Sequence, residues 1–215
     1  MTINENEVEF NYSARYFTNQ IDFSEAKAIW YVFHGYGQLA FYFLRKFEIL
    51  SKYKILVVAP EGLSRYYLND TKGRVGATWM TKEDRERDIL NYTRYFEMVF
   101  RVTQSQLPNW IPTTLLGFSQ GAATVCRCAS SPLIQFDRMI LWAGLFPFDL
   151  DPVKGKSVFN DKQVDFVYGT QDPYLSDERF MELEKLSGQF EVTLNKYSFN
   201  GVHDIDNHML EALAN

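Results

Sequence analysis

Apolar residues in this chain gather into short, nearly unbroken runs. Residues 28–35 (AIWYVFHG), 54–62 (KILVVAPEG), 113–119 (TTLLGFS), 138–144 (RMILWAG) and 164–169 (VDFVYG) each carry one. Strict alternation of polar and apolar positions marks a strand with one wet face, so unbroken runs of this length predict strands covered on both faces. Residues 191–199 (EVTLNKYSF) are more polar and read as a strand nearer a sheet edge. The opening segment 8–19 (VEFNYSARYFTN) reads as one or two β segments at the start of the sheet.

Helical patterns lie between these runs. Residues 83–106 place Ile89, Phe96, Val99 and Phe100 at helical spacing, with Thr81 and Asp84 set as a capping pair. Residues 121–130 are small and tightly packable. Residues 177–187 follow Ser176, open on Asp177 and Glu178 and stop at Gly188, so cap, dipole and terminator agree. A last helix is expected over 205–214. Strand and helix in regular succession predict an α/β fold with a mostly parallel, doubly wound sheet. With no repeat, low-complexity tract or linker, residues 1–215 read as a single domain. The longest irregular connection is 61–82, and a loop of that length in a compact domain is usually functional.

Composition then removes several classes of function. The net charge is −5 and no Lys/Arg block occurs, which excludes a nucleic-acid footprint and recruitment to an anionic membrane surface. The N-terminus lacks a signal-peptide pattern, and the longest uninterrupted apolar run, Ala28–Phe33, is far short of a span. A cytoplasmic protein without stable membrane insertion is expected. Cys126 and Cys128 are two apart on a helix and point in different directions, so they read as buried thiols, neither a disulfide nor a metal pair.

The chemistry concentrates at TTLLGFSQGAATVC, residues 113–126. Gly117-Phe118-Ser119-Gln120-Gly121 fits G-x-S-x-G, with a strand before it and a helix after it. A serine on so tight a turn projects its hydroxyl from the sheet end, and glycines on both sides avoid collision with neighbouring backbone. The hydroxyl needs a base. The chain has three histidines: His34, His203 and His208. His203, in FNGVHDID after the last strand, can hang over the strand ends. His208 falls inside the last helix, and His34 closes its strand and is expected to shape the floor of the site. The base in turn needs an acid to fix its tautomer. Asp172 in VYGTQDPY, just past a strand, is the choice over Asp165, Asp204 and Asp206. The chain order Ser119, Asp172, His203 is that of the α/β-hydrolases.

The segments HGYG, GFSQGAA, GTQDPY and GVHD resemble the serine carboxylesterase, phospholipase and acyl-protein-thioesterase branch of that superfamily, over residues 28–210. The resemblance implies the α/β-hydrolase fold. It also implies cleavage of an acyl ester or thioester through an acyl-serine, with no cofactor and no metal. It implies an oxyanion hole made by the backbone N–H groups of Tyr36 and Gln120, and it matches Trp79 to a tryptophan lining the acyl site. The first motif departs from that branch, reading HGYGQ for the common HGLGD, and Tyr168-Gly169 replaces His-Gly at the end of the acid strand.

Aromatic residues near these motifs suggest an apolar wall. Tyr36, Phe41, Tyr66, Tyr67, Trp79, Phe146 and Phe148 are candidates, with Trp79 expected at an accessible loop tip because Gly76 and polar residues flank it. The expected substrate-binding set is His34, Tyr36, Trp79 and Phe146. Two other readings stand beside the esterase: a non-catalytic small-molecule-binding module on this scaffold, and a serine peptidase. The sequence does not specify an oligomeric state.

Overall fold

The computed structural model describes residues 1–215. In chain order its elements are β1 (Tyr16–Thr18), β2 (Ala28–Phe33), α1 (Ala40–Leu44) running into a 3-10 helix (Arg45–Tyr53), and β3 (Ile55–Pro60). Next come β4 (Ser64–Tyr67), β5 (Val75–Thr78), α2 (Arg85–Gln104), β6 (Thr113–Phe118) and α3 (Gln120–Ala129). The last third holds β7 (Arg138–Trp142), α4 (Pro152–Phe159), β8 (Gln163–Gly169), α5 (Asp177–Gln189), β9 (Leu194–Phe199) and α6 (Asn207–Ala214). Seven strands form one sheet in the order β1-β3-β2-β6-β7-β8-β9. Every pairing in it is parallel except that of β1 with β3.

The unbroken apolar runs are explained by two cores, one on each face. Alternate residues Ile29, Tyr31 and Phe33 of β2 join Leu115, Met139 and Phe166 against α2, α3, α4 and α5. Their neighbours Trp30 and Val32 join Val57, Leu116 and Trp142 against α1, the 3-10 helix and α6. A strand with a core on both faces has no solvent side, which is why the period-two signal vanishes. β9 closes one edge, and its exposed and half-buried positions match its more polar sequence.

Four expectations change on contact with the structure. Only Tyr16–Thr18 of the opening segment pairs as a strand. Thr81 and Asp84 do not cap α2: Asp84 is in a left-handed conformation with no side-chain cap, and Thr81 N–H donates instead to Asp88 at 3.2 Å. α5 runs through Gly188 to Gln189. The connection 61–82 is not irregular, because it folds into an antiparallel β4–β5 hairpin.

That hairpin decides the fate of two residues. A bridge between Gln38 and Ala77 draws the connection down onto the turn after β2. Trp79, just past β5, therefore turns inward and is only 1% exposed. Its indole N–H donates to His34 O at 2.9 Å, and the ring stacks on the His34 imidazole at 4.9 Å. His34 is 0% exposed. Its Nδ1 lies 2.8 Å from Gly35 O, so Nδ1 must carry the proton, and its Nε2 accepts from Gly62 N–H at 3.0 Å. Burial pushes the imidazole down to about 4 from its ordinary 6.5.

At the opposite end of the strands, Asp165 is buried and accepts from Arg138, Gln163 and Asn195. Arg138 also reaches Leu213 O at 2.6 Å, so this cluster ties β7, β8, β9 and α6 together. Removing the carboxylate strands the half-buried guanidinium. Asp165→Ala is expected to lower stability in urea by about 3 kcal/mol. For His34, an unfolded chain binds a proton below about pH 6.5 that the native chain refuses until about pH 4. The stabilisation is therefore whole above 6.5 and is lost as pH falls through that window. Urea midpoints across pH 4 to 7 should fall with acid, and His34→Gln should flatten the fall.

Candidate active site

The sheet changes winding direction at β2. The chain steps outward from β2 to β3, then crosses back to place β6 on the other side of β2. Open α/β sheets bind ligands at such a point, outside the carboxyl ends of the strands. Here those ends carry the His34–Gly37 turn and Ser119. Asp172 and His203 follow β8 and β9 at the same end of the sheet.

Ser119 stands between β6 and α3 with φ 54° and ψ −116°, a conformation that L residues rarely adopt. Its amide is held by Trp142 O at 2.9 Å. The flanking glycines are required by contact. A Cβ on Gly117 would lie 2.3 Å from Gly121 O, and one on Gly121 would lie 2.2 Å from Phe33 O. The turn can thus be this sharp only without side chains at both positions. α3 starts at Gln120 with no acidic residue in its first turn, so its positive dipole end faces the serine undiminished.

His203 Nδ1 lies 2.6 Å from Asp172 Oδ2. A carboxylate can only accept, so Nδ1 carries the proton and Nε2 is left as the basic nitrogen. Asp172 is buried, and its other oxygen accepts from Tyr174 N–H at 2.9 Å. The His203 ring packs between Phe118 and Tyr174, each 4.8 Å away between centroids. The loops that carry Asp172 and His203 are sewn together by Thr170 N–H to Phe199 O and Gln171 N–H to Gly201 O, both 2.9 Å. Gly169 allows this, since a Cβ there would meet Gly201 O at 2.4 Å. The competing acids are engaged elsewhere. Asp165 holds Arg138, Asp204 holds Lys46 at 2.6 Å, and Asp206 caps α6. His208 is exposed on α6.

Ser119 and His203 open onto one cavity of about 390 Å³. Within it Ser119 Oγ and His203 Nε2 form no hydrogen bond, to each other or to other groups of the chain. Such contacts commonly tighten only around a substrate. Gln120, Ala123, Thr124 and Arg127 form the floor, at the i, i+3, i+4, i+7 spacing of one α3 face. Met80, the Leu145–Phe148 segment and the start of α5 form the walls.

Phe146 and Phe148 lie in the lining of the cavity. Trp79 and His34 do not: both lie in the core, their polar atoms consumed by the contacts described above, because the hairpin covers them. Tyr36 places its exposed ring against Tyr66 at 5.5 Å, apart from the cavity lining. Its N–H donates to nothing in the chain, whereas those of Gly35, Gly37 and Gln38 are all paired. The sequence pattern did not single out the Gln120 side chain. Its amide oxygen accepts from Trp79 N–H at 3.3 Å, and its NH₂ donates to Thr78 Oγ1 at 2.9 Å and Met80 O at 3.0 Å, fastening residues 78–80 to the head of α3. Ala123, Thr124 and Arg127 could have been found by counting helical periods from Gln120. No cluster of three or more His, Cys, Asp or Glu side chains is placed to hold a metal ion.

No protein-family model matches the chain, and no curated protein matches its sequence. Solved structures do match, over nearly its whole length. A carboxylesterase from Mesorhizobium loti superposes with a TM-score of 0.71 at 16% identity, over 93% of this chain and 91% of its own. Zea mays acyl-protein thioesterase 2 gives 0.69 at 15% identity, over 94% and 96%. A Bacillus cereus carboxylesterase gives 0.65 at 17% identity, over 95% and 93%. Likeness at this identity is a likeness of architecture, and it agrees with the strand order and the serine turn: the chain has the α/β-hydrolase fold.

Proposed function

We propose that the chain is a serine hydrolase that cleaves carboxylic ester or thioester bonds through an acyl-serine intermediate. The observation that carries this reading is the buried Asp172 fixing His203 with its basic nitrogen free, in a cavity shared with a serine on a strained turn. Ser119 Oγ attacks the acyl carbon as its proton passes to His203 Nε2. The carbonyl oxygen gains negative charge, which the N–H groups of Gln120 and Tyr36 receive. His203 then protonates the departing alcohol or thiol. Water repeats the sequence, regenerating the serine and releasing the acid. The named activities of the structural neighbours support an ester or thioester substrate over an amide. No observation favours a purely binding role.

The cavity suggests which acyl groups fit. From Ser119 to Arg127 the α3 floor extends ~12 Å at 1.5 Å per residue. Ala123 and Thr124 keep it low, and Met80, Leu145 and Phe146 give the walls an apolar stretch beside the charged Arg179 and Glu182. Arg127 closes the far end, neutralised by Asp149 at 2.7 Å. A medium-length unbranched acyl chain matches this shape. Chain location is proposed to be the cytoplasm, where unpaired thiols such as Cys126 and Cys128 persist. No helix is long and apolar enough to cross a membrane.

Three experiments test these assignments. A fluorophosphonate probe should label the chain, and Ser119→Ala should abolish labelling. His203→Ala should lower ester turnover by about 10³-fold or more. Full activity in both variants would end the serine mechanism. Ala123→Phe should raise the groove floor: kcat/KM for an octanoyl ester should drop about tenfold, while that for an acetyl ester stays within about twofold. Equal losses for both esters would place the acyl chain elsewhere.

A further inference from the structure

Glu61 is the first residue past β3, and its side chain is only 1% exposed. One oxygen, Oε1, accepts from Arg15 at 2.7 Å and from Arg65 at 3.3 Å. The other, Oε2, accepts from Ala40 N–H at 3.2 Å. Both arginines are about half exposed, at 50% and 41%, so water and salt weaken their pairing with it. Burying a carboxylate against such partners adds little stability, and an apolar residue would serve the core as well. The contact an apolar residue could not make is the one to Ala40 N–H.

That contact lies at one end of the turn between β2 and α1. Gly62, the next residue, holds the other end through its N–H to His34 Nε2. Consecutive residues thus grip both ends of a seven-residue turn, 34–40, and the Tyr36 N–H without a partner sits between the grips. Arg15 gives the clamp a distant anchor, because Tyr95 OH donates to Arg15 O at 2.6 Å and accepts from Glu61 N–H at 3.2 Å.

We propose that Glu61 is a positioning residue: its carboxylate clamps the 34–40 turn so that the Tyr36 N–H is held ready for the developing oxyanion. This rests on the serine-hydrolase reading for its catalytic consequence but not for the clamp itself. Glu61 touches no reacting atom. It acts through the backbone of the turn, so its loss should affect the transition state more than substrate binding.

Glu61→Gln is the informative substitution. A carboxamide has one oxygen, so whichever way it turns, an NH₂ faces either the arginines or Ala40 N–H. Amide exchange of the full chain should then quicken at the hydrogen-bonded amides within 36–40, those of Gly37, Gln38 and Ala40, by about tenfold or more, a loss of local protection. Residues 113–118 of β6 should exchange as before. On a p-nitrophenyl ester, kcat should fall about 10- to 100-fold, with KM within about twofold. Should Glu61→Gln not fold, Arg15→Gln keeps the carboxylate, loosens one anchor and should show the same pattern in milder form.

Unchanged exchange at 36–40, or unchanged kcat in the folded variant, would overturn the proposal. Faster exchange throughout the sheet with kcat and KM altered together would overturn it too, as the mark of a general structural prop. Labelling of wild-type Ser119 by fluorophosphonate reads the serine mechanism independently. A labelled wild type with an indifferent Glu61→Gln sinks the clamp alone. An unlabelled wild type with faster exchange at 36–40 sinks the mechanism and the oxyanion role, leaving a clamp on the turn.

Discussion

The site depends on a backbone constraint: Ser119 must be held at a positive φ, against its own preference. A residue in that region costs on the order of 1–3 kcal/mol, and surrounding structure must supply it. The support is concentrated. Gly117 and Gly121 let β6 and α3 pass within contact of each other and of β2, and the Ser119 amide is captured by the end of β7. A turn that tight also points the head of α3 at the hydroxyl. Position, strain and field are therefore consequences of one packing arrangement.

Around this fixed point the partners come from two neighbouring strands. Parallel pairing of β8 and β9 brings their carboxyl ends side by side, and two backbone hydrogen bonds join the loops that follow. Asp172 and His203 can then meet although far apart in sequence. The opposite ends of the same strands are tied by Asp165 and Arg138. β8 thus carries one buried carboxylate that organises the sheet and, beyond its end, a second that fixes the His203 ring. The cavity is completed by α3 itself, so the helix that begins beside Ser119 also lines the space that Ser119 opens onto.

How much of this was legible depends on whether the signal was local. Strands covered on both faces announce themselves as apolar runs, so β2, β3, β6, β7 and β8 could be read directly. Ser119, Asp172 and His203 could be singled out because histidines are scarce and each of the three falls just past a strand end. Trp79 was misread because its burial is non-local. Gly76 and polar neighbours do signal a turn, but the Gln38–Ala77 bridge, which no local pattern reveals, folds that turn onto His34. The same holds for His34, whose ring nitrogens find partners from its own turn and from Gly62. α1 and α4 went unread for a different reason: α1 is one turn of α-helix passing into 3-10 geometry, and α4 opens on a proline and contains Gly155. Glu61 gave no signal because its partners come from three separate stretches of chain.

The placement of β9 at the margin of the sheet has its own corollary. Hydrogen bonds on a border strand open at lower free energy than those of interior strands. The imidazole of His203 hangs from the end of that strand, whereas the serine is rooted in the middle. The placement of this imidazole and global foldedness are accordingly separable properties of the molecule: mild denaturant can loosen the ring while the central strands keep their native order.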